Sequence, residues 1–134
     1  MPVLSSTADT LTRKLPKLIP ARAHRAADYA MAASFALAGA WFWRRNRTAA
    51  LASLLCGGSL LGLTELTSYP HRGKRLISFP THEKLELAIA ALAATLPDFL
   101  ELSDPRARRY LRTKAGILTL ISNLTRYAPP RRTF

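Results

Sequence analysis

Two pairs of side chains with acid–base or metal-ligating chemistry recur in the same spacing, His24 with Asp28 and His82 with Glu86. Each is an i,i+4 pair, which places imidazole and carboxylate on one face of a helix. Brought together at a seam, the four residues would offer two nitrogen and two carboxylate donors to a metal ion. The plainer expectation is that they are helix-start residues at the water interface, with acids favoured in the first turn by the helix dipole. On the sequence alone no metal, catalytic residue or cofactor is assigned, and these four stand as weak metal candidates. Glu65 is the other acid at depth, and pairing with Arg72 or Lys74 suits it better than a proton relay.

Other chemistries are poorly represented. Cys56 is the sole cysteine, which excludes an intrachain disulfide and a cysteine metal knuckle. No nucleophile elbow and no phosphate-cradling Gly-Lys-Ser/Thr loop occurs. The sequence therefore points to a protein that is not an enzyme.

The elements that must position the pairs are four helices. Tyr29–Trp43 and Thr48–Thr64 are both free of charge. At helical rise these runs cover roughly 23–26 Å, and snorkelling at the ends extends them towards a hydrocarbon core of about 30 Å. Trp41, Phe42 and Trp43 precede Arg44, Arg45 and Arg47, the aromatic-plus-cation border of a membrane interface. Two later helices, near residues 81–102 and 109–127, have much shorter uncharged cores, Leu87–Pro97 and Ala115–Thr125. Pro97 is expected to kink or end the deep part of the third helix. Gly58 and Gly62 form a GxxxG spacing that, with Gly116, is expected to pack helices against each other, Ala32, Ala36 and Ala40 supplying the partner strip.

The two halves align without a gap when His24 is set on His82. In that register Asp28 falls on Glu86, Gly58 on Gly116, and Leu66-Thr67-x-Tyr69 on Leu124-Thr125-x-Tyr127. Each copy holds two helices, so both enter from the same side, as parallel repeats about an axis along the membrane normal. The chain divides into a basic N-terminal arm (1–23, with a short amphipathic helical turn), repeat 1 (24–69), an interfacial linker (70–81), repeat 2 (82–127) and a disordered tail (128–134). In the linker Arg72, Lys74 and Arg75 are placed at anionic lipid headgroups.

A charged His/Asp entry, an apolar helix, an aromatic or Pro-containing exit, a short turn and a second helix resemble the SPW-repeat family of small prokaryotic membrane proteins. The join from Tyr69-Pro70 to Thr81-His82-x-Lys84-Leu85-Glu86 is similar to the linker of two-repeat members. The Ser-Pro-Trp triplet itself is mostly replaced: Leu96-Pro97-Asp98 stands in copy two, and Ala38-Gly39-Ala40 before Trp41 in copy one. The resemblance implies an integral membrane location and no settled biochemical activity.

The fold class expected is all-α, four transmembrane helices as two tandem repeats, in a bacterial cytoplasmic membrane. The arm, linker and tail together carry more Lys and Arg than the two short turns, which puts both termini in the cytoplasm. Partners are the bilayer and its anionic headgroups, a homo-oligomer being allowed and nucleic acid not expected. Two rivals remain. The net charge of +12 suits a soluble basic bundle binding nucleic acid, and the His/acid pairs suit a membrane carrier or metal-binding protein.

Overall fold

Residues 18–69 and 74–125 are described by a computed structural model; the rest of the basic arm, Arg72, Tyr127 and the tail lie outside them. The order is α1 (Ala21–Phe42), α2 (Arg47–Leu66), a short strand β1 (Thr67–Ser68), β2 (Ile77–Ser78), α3 (Phe79–Phe99) and α4 (Pro105–Leu124). The architecture is all-α. α1 runs against α2 and α3 against α4, and the two hairpins meet mainly through α2 and α3.

Local chemistry sets the helix ends. Pro20 precedes α1, where its lack of an N–H costs nothing. The Asn46 side chain caps α2 by accepting from the Ala49 amide at 3.0 Å. Ser78 caps α3 by accepting from Thr81, with Pro80 in the first turn, and Asp104 caps α4 by accepting from the Arg106 amide at 2.9 Å. Pro97 lies inside α3, and the helix ends soon after it, at Phe99. Its carbonyl then accepts from the Leu102 amide at 2.9 Å, while Glu101 takes a left-handed φ of 50° to turn the chain.

One core runs through all four helices. Phe35, Ala49, Cys56, Leu60, Ala93, Leu111 and Leu118 are buried in it. Tyr110 donates from its hydroxyl to the Ser34 carbonyl at 2.9 Å, tying α4 to α1.

The close approach of α1 and α2 differs from expectation. A Cβ on Gly58, Gly62 or Gly116 would meet nothing within 4 Å, so the GxxxG face packs against no helix among the described residues. Gly57 is the contact residue instead: a Cβ there would stand 2.6 Å from Phe35 Cβ and 3.3 Å from the Ala32 carbonyl oxygen. Register explains the difference, since Gly57 falls on the inward face and its neighbour Gly58 points more than a quarter-turn away from it. Ala32 does take part in the seam.

The linker is partly built into the bundle. Thr67 pairs in parallel with Ile77, and Ser68 with Ser78. The same contact recurs at the equivalent place in the other copy, where Ile19 bridges Thr125 in parallel and its amide donates to the Leu124 carbonyl at 3.0 Å. Residues 18–20, expected within the arm, thus belong to the bundle, and α1 and α3 each begin just after such a contact. Lys74, Arg75 and Leu76 are exposed.

Among the described residues one helix, Arg47–Leu66, is long and apolar enough to cross a membrane, and half of its most apolar stretch is buried in the bundle. The other three expected spans fall short because Arg22, Arg25 and Asp28 in α1, Lys84 and Glu86 in α3, and Arg106 to Lys114 in α4 interrupt the apolar run.

Gly57→Ala should lower unfolding stability by about 1–3 kcal/mol, because Phe35 and the Ala32 backbone cannot both yield. Gly58→Ala and Gly62→Ala should be neutral or gain up to about 1 kcal/mol from helix propensity. Thermal or denaturant unfolding of the three variants checks this, and equal losses at all three would contradict the packing.

Candidate metal centre between the two repeats

His24 and Asp28 lie on the first two turns of α1, and His82 and Glu86 on those of α3. All four are fully buried. This corrects the expectation of helix-start residues at the water interface. The hairpins turn these faces towards each other, so the two pairs meet at one point instead of facing outward.

The contacts are mutual. His24 Nε2 stands 3.1 Å from Asp28 Oδ2 and 3.0 Å from Glu86 Oε2. His82 Nε2 stands 3.0 Å from Asp28 Oδ2 and 3.8 Å from Glu86 Oε2. The two Nε2 atoms are 3.3 Å apart, and the rings meet edge-on, with centroids 5.2 Å apart and planes at 77°. Each carboxylate therefore touches the histidine of its own helix and that of the other repeat.

The outer nitrogens are held as well. His24 Nδ1 is 2.6 Å from Thr125 Oγ1, and His82 Nδ1 is 2.7 Å from Thr67 Oγ1. Each threonine hydroxyl donates its proton to a carbonyl one turn back, Thr125 to Ile121 at 2.6 Å and Thr67 to Leu63 at 2.5 Å. A hydroxyl has one proton, so both threonine oxygens accept from an Nδ1–H. Both imidazoles are thereby fixed with Nδ1 protonated and Nε2 directed inward.

The bracing is crossed. Thr67 ends the first repeat and holds the histidine of the second; Thr125 ends the second and holds the histidine of the first. Residue i of one copy touching residue j of the other, and the reverse, is the contact pattern of a two-fold axis. An axis relating the copies runs between the four inward atoms, midway between the two Nε2 atoms.

Aromatic rings close the surroundings. The Tyr69 and Phe79 rings lie 5.1 Å apart, and each is 5.8 Å from the His82 ring. Phe79 also meets His24 edge-on at 5.7 Å. Burial, with Asp28 nearby, pushes the Tyr69 phenol above its ordinary range. Thr64 donates to the Leu60 carbonyl at 2.8 Å, and its hydroxyl lies 3.5 Å from Asp28 Oδ2.

Thr67, Thr125 and Tyr69 carry no role in the sequence reading, although the repeated Leu-Thr-x-Tyr was visible there. The usable signal was that this threonine repeats in the same register as the histidine. Tyr29 donates its hydroxyl to Glu65 Oε1. Arg75 reaches the Glu65 carbonyl at 3.3 Å, and Arg72, an expected partner of Glu65, lies outside the described residues. Asp98 stands at the far end of the bundle, exposed, and accepts from Arg108 and Arg112 at 2.5 and 3.0 Å.

Protein-family models, curated proteins and solved structures give no match to this chain.

His82→Ala should cost about 3–5 kcal/mol of unfolding stability, since it strips a partner from two buried carboxylates. Thr67→Val, nearly isosteric, should cost about 1–3 kcal/mol by leaving an Nδ1–H without its acceptor. Lys84→Ala, exposed on the same helix, should stay within about 0.5 kcal/mol. Equilibrium unfolding ranks the three; a Thr67→Val effect as small as that of Lys84→Ala would contradict the bracing.

Proposed function

We propose that this chain is a small multi-pass membrane protein with a non-enzymatic role, structural, accessory or related to a small solute. The observation carrying this reading is the outward face of the first hairpin. From Tyr29 to Trp43 the exposed residues are Ala30, Ala33, Ala36, Leu37, Ala40, Trp41 and Trp43, and from Leu51 to Leu61 they are Leu51, Leu54, Leu55, Gly58 and Leu61. None is charged. Leu37 is 73% exposed, although it sits well inside a helix.

The ends of this band have the polarity an interface asks for. The Arg45 and Arg47 guanidiniums lie over the Trp41 and Trp43 rings at 4.2 and 3.9 Å, keeping each cation on an amphipathic ring at headgroup depth. On α3 and α4 the exposed face is uncharged from Leu85 to Thr95 and from Gly116 to Leu120. The band is about 15–20 Å tall at helical rise, thinner than the roughly 30 Å of a full hydrocarbon core. Snorkelling of Lys84, Arg112 and Lys114 makes up the difference. In this reading the second repeat is the shallower half, and the two-repeat resemblance to SPW proteins describes the layout.

The absence of a catalytic role rests on how closed the centre is. Its four side chains are fully buried, with every inward atom facing another of the four, which leaves no approach for a substrate. The basic far end, with Arg44, Arg45, Arg47, Arg106 and Arg109, serves as a headgroup surface in this reading, at about 1 kcal/mol per cation.

Membrane fractionation tests the proposal. The full chain should stay in the pellet through a carbonate wash and leave it only with detergent. Release by carbonate or salt, with DNA binding that weakens steeply as salt rises, would overturn it in favour of the soluble nucleic-acid binder.

A further inference from the structure

We propose that His24, Asp28, His82 and Glu86 form a closed, four-coordinate site for one divalent ion of the zinc class, which clamps the two repeats together. The inference does not depend on the membrane reading, since it is drawn from the interior of the bundle.

Distance is the first support. Four donors about 2.0–2.1 Å from one tetrahedral ion stand about 3.3–3.4 Å from one another. The Nε2 atoms are 3.3 Å apart, and the four nitrogen–oxygen distances are 3.1, 3.0, 3.0 and 3.8 Å. A single helical i,i+4 pair could give one such distance by chance. Five at once, across two repeats, with all four donors within 4.8 Å of one another, gather the donor set around one centre.

The second support is the direction of the lone pairs. The threonines fix both imidazoles as Nδ1–H donors, so in the neutral rings both Nε2 lone pairs point at that centre. Two lone pairs 3.3 Å apart, with carboxylate oxygens at similar range, repel unless something positive lies between them. This is also how metal-binding histidines are ordinarily held, the far N–H donating to an oxygen that fixes ring and tautomer.

Charge and burial give the third. Two carboxylates and two neutral imidazoles sum to −2, and all four residues are fully buried; a divalent ion brings the site to neutrality, which a low-dielectric interior requires. Asp28 Oδ1 is buried and accepts no hydrogen bond from the described residues, so that oxygen is also available to the ion.

The donor set selects the ion. With no thiolate, soft monovalent copper is disfavoured, and calcium or magnesium would require more oxygens. Two imidazoles and two carboxylates in a four-point cage suit Zn2+, with Co2+ as its spectroscopic stand-in. Full enclosure without an open coordination position makes it a structural ion.

The test uses the full chain purified in whatever medium disperses it, stripped with chelator and titrated with Zn2+ and then Co2+. One ion per chain should bind, and Co2+ should give the intense visible bands of a tetrahedral site. Thr67→Val and Thr125→Val keep all four ligands and should weaken Zn2+ binding about 10–100-fold with one ion per chain retained. Glu86→Gln should abolish the tetrahedral Co2+ spectrum, and Cys56→Ala should leave affinity and spectrum unchanged. A folded wild-type chain that binds neither ion would overturn the proposal and leave shared protons as what joins the four groups. Sub-stoichiometric binding indifferent to the threonine and Glu86 changes would overturn it equally. A chain that binds Zn2+ while dispersing in plain buffer would sink the membrane reading and leave this one standing.

Discussion

The fold depends on two imidazoles and two carboxylates being forced to meet inside it. Apolar packing alone makes two hairpins, α1 with α2 and α3 with α4, and each has an Ala-rich inner face that would tolerate sliding. The polar cluster removes that freedom. A buried carboxylate without a partner is costly, and each carboxylate here finds half of its partners on the other repeat. Only one relative placement of the hairpins satisfies all four groups, so specificity comes from the polar centre and bulk stability from the aliphatic core.

Tandem repetition makes this economical. One local design, a histidine one turn into a helix, an acid one turn further and a threonine at the end of the next helix, needs only a partner copy to complete itself. The short parallel contacts, Thr67 with Ile77 and Ile19 with Thr125, hold the chain where the next helix must start. They bring each threonine within reach of the other copy's histidine. Outside the centre the copies have diverged: Cys56, buried in the core, corresponds to Lys114, and Leu54 to Arg112. Divergence is tolerated away from the axis because the shared geometry is set at it.

Much of this was legible in the residues. The four helices, the repeat register and the two His/acid pairs all follow from periodicity and spacing. The end of α3 shortly after Pro97 matches the effect expected of that proline, whereas α4 starts at Pro105, behind its Asp104 cap, several residues before the expected start near 109. The burial of the pairs was not legible, because a charged residue in a first helical turn is more often solvated, and no local pattern says which way a hairpin faces. The glycine contact was misplaced for a related reason. Gly57 and Gly58 are neighbours, and only the direction of the core separates the buried one from the exposed one. Of the four expected spans only α2 is long and apolar enough among the described residues; the uncharged runs of α1, α3 and α4 are too short because charged residues of the same helices flank them. The threonine braces were visible as repeated letters but had no function until the partner histidine lay beside them.

The central claim is that both imidazoles are fixed by threonine oxygens and face each other across the repeat axis. Nitrogen NMR of histidine-labelled protein addresses it most directly, since it reads which ring nitrogen carries a proton. Of the three histidines in the chain, two should show a protonated Nδ1 in slow exchange with water. Both should lose that signature when Thr67 and Thr125 are replaced by Val. Three rings with mixed tautomers exchanging freely with solvent would contradict the account.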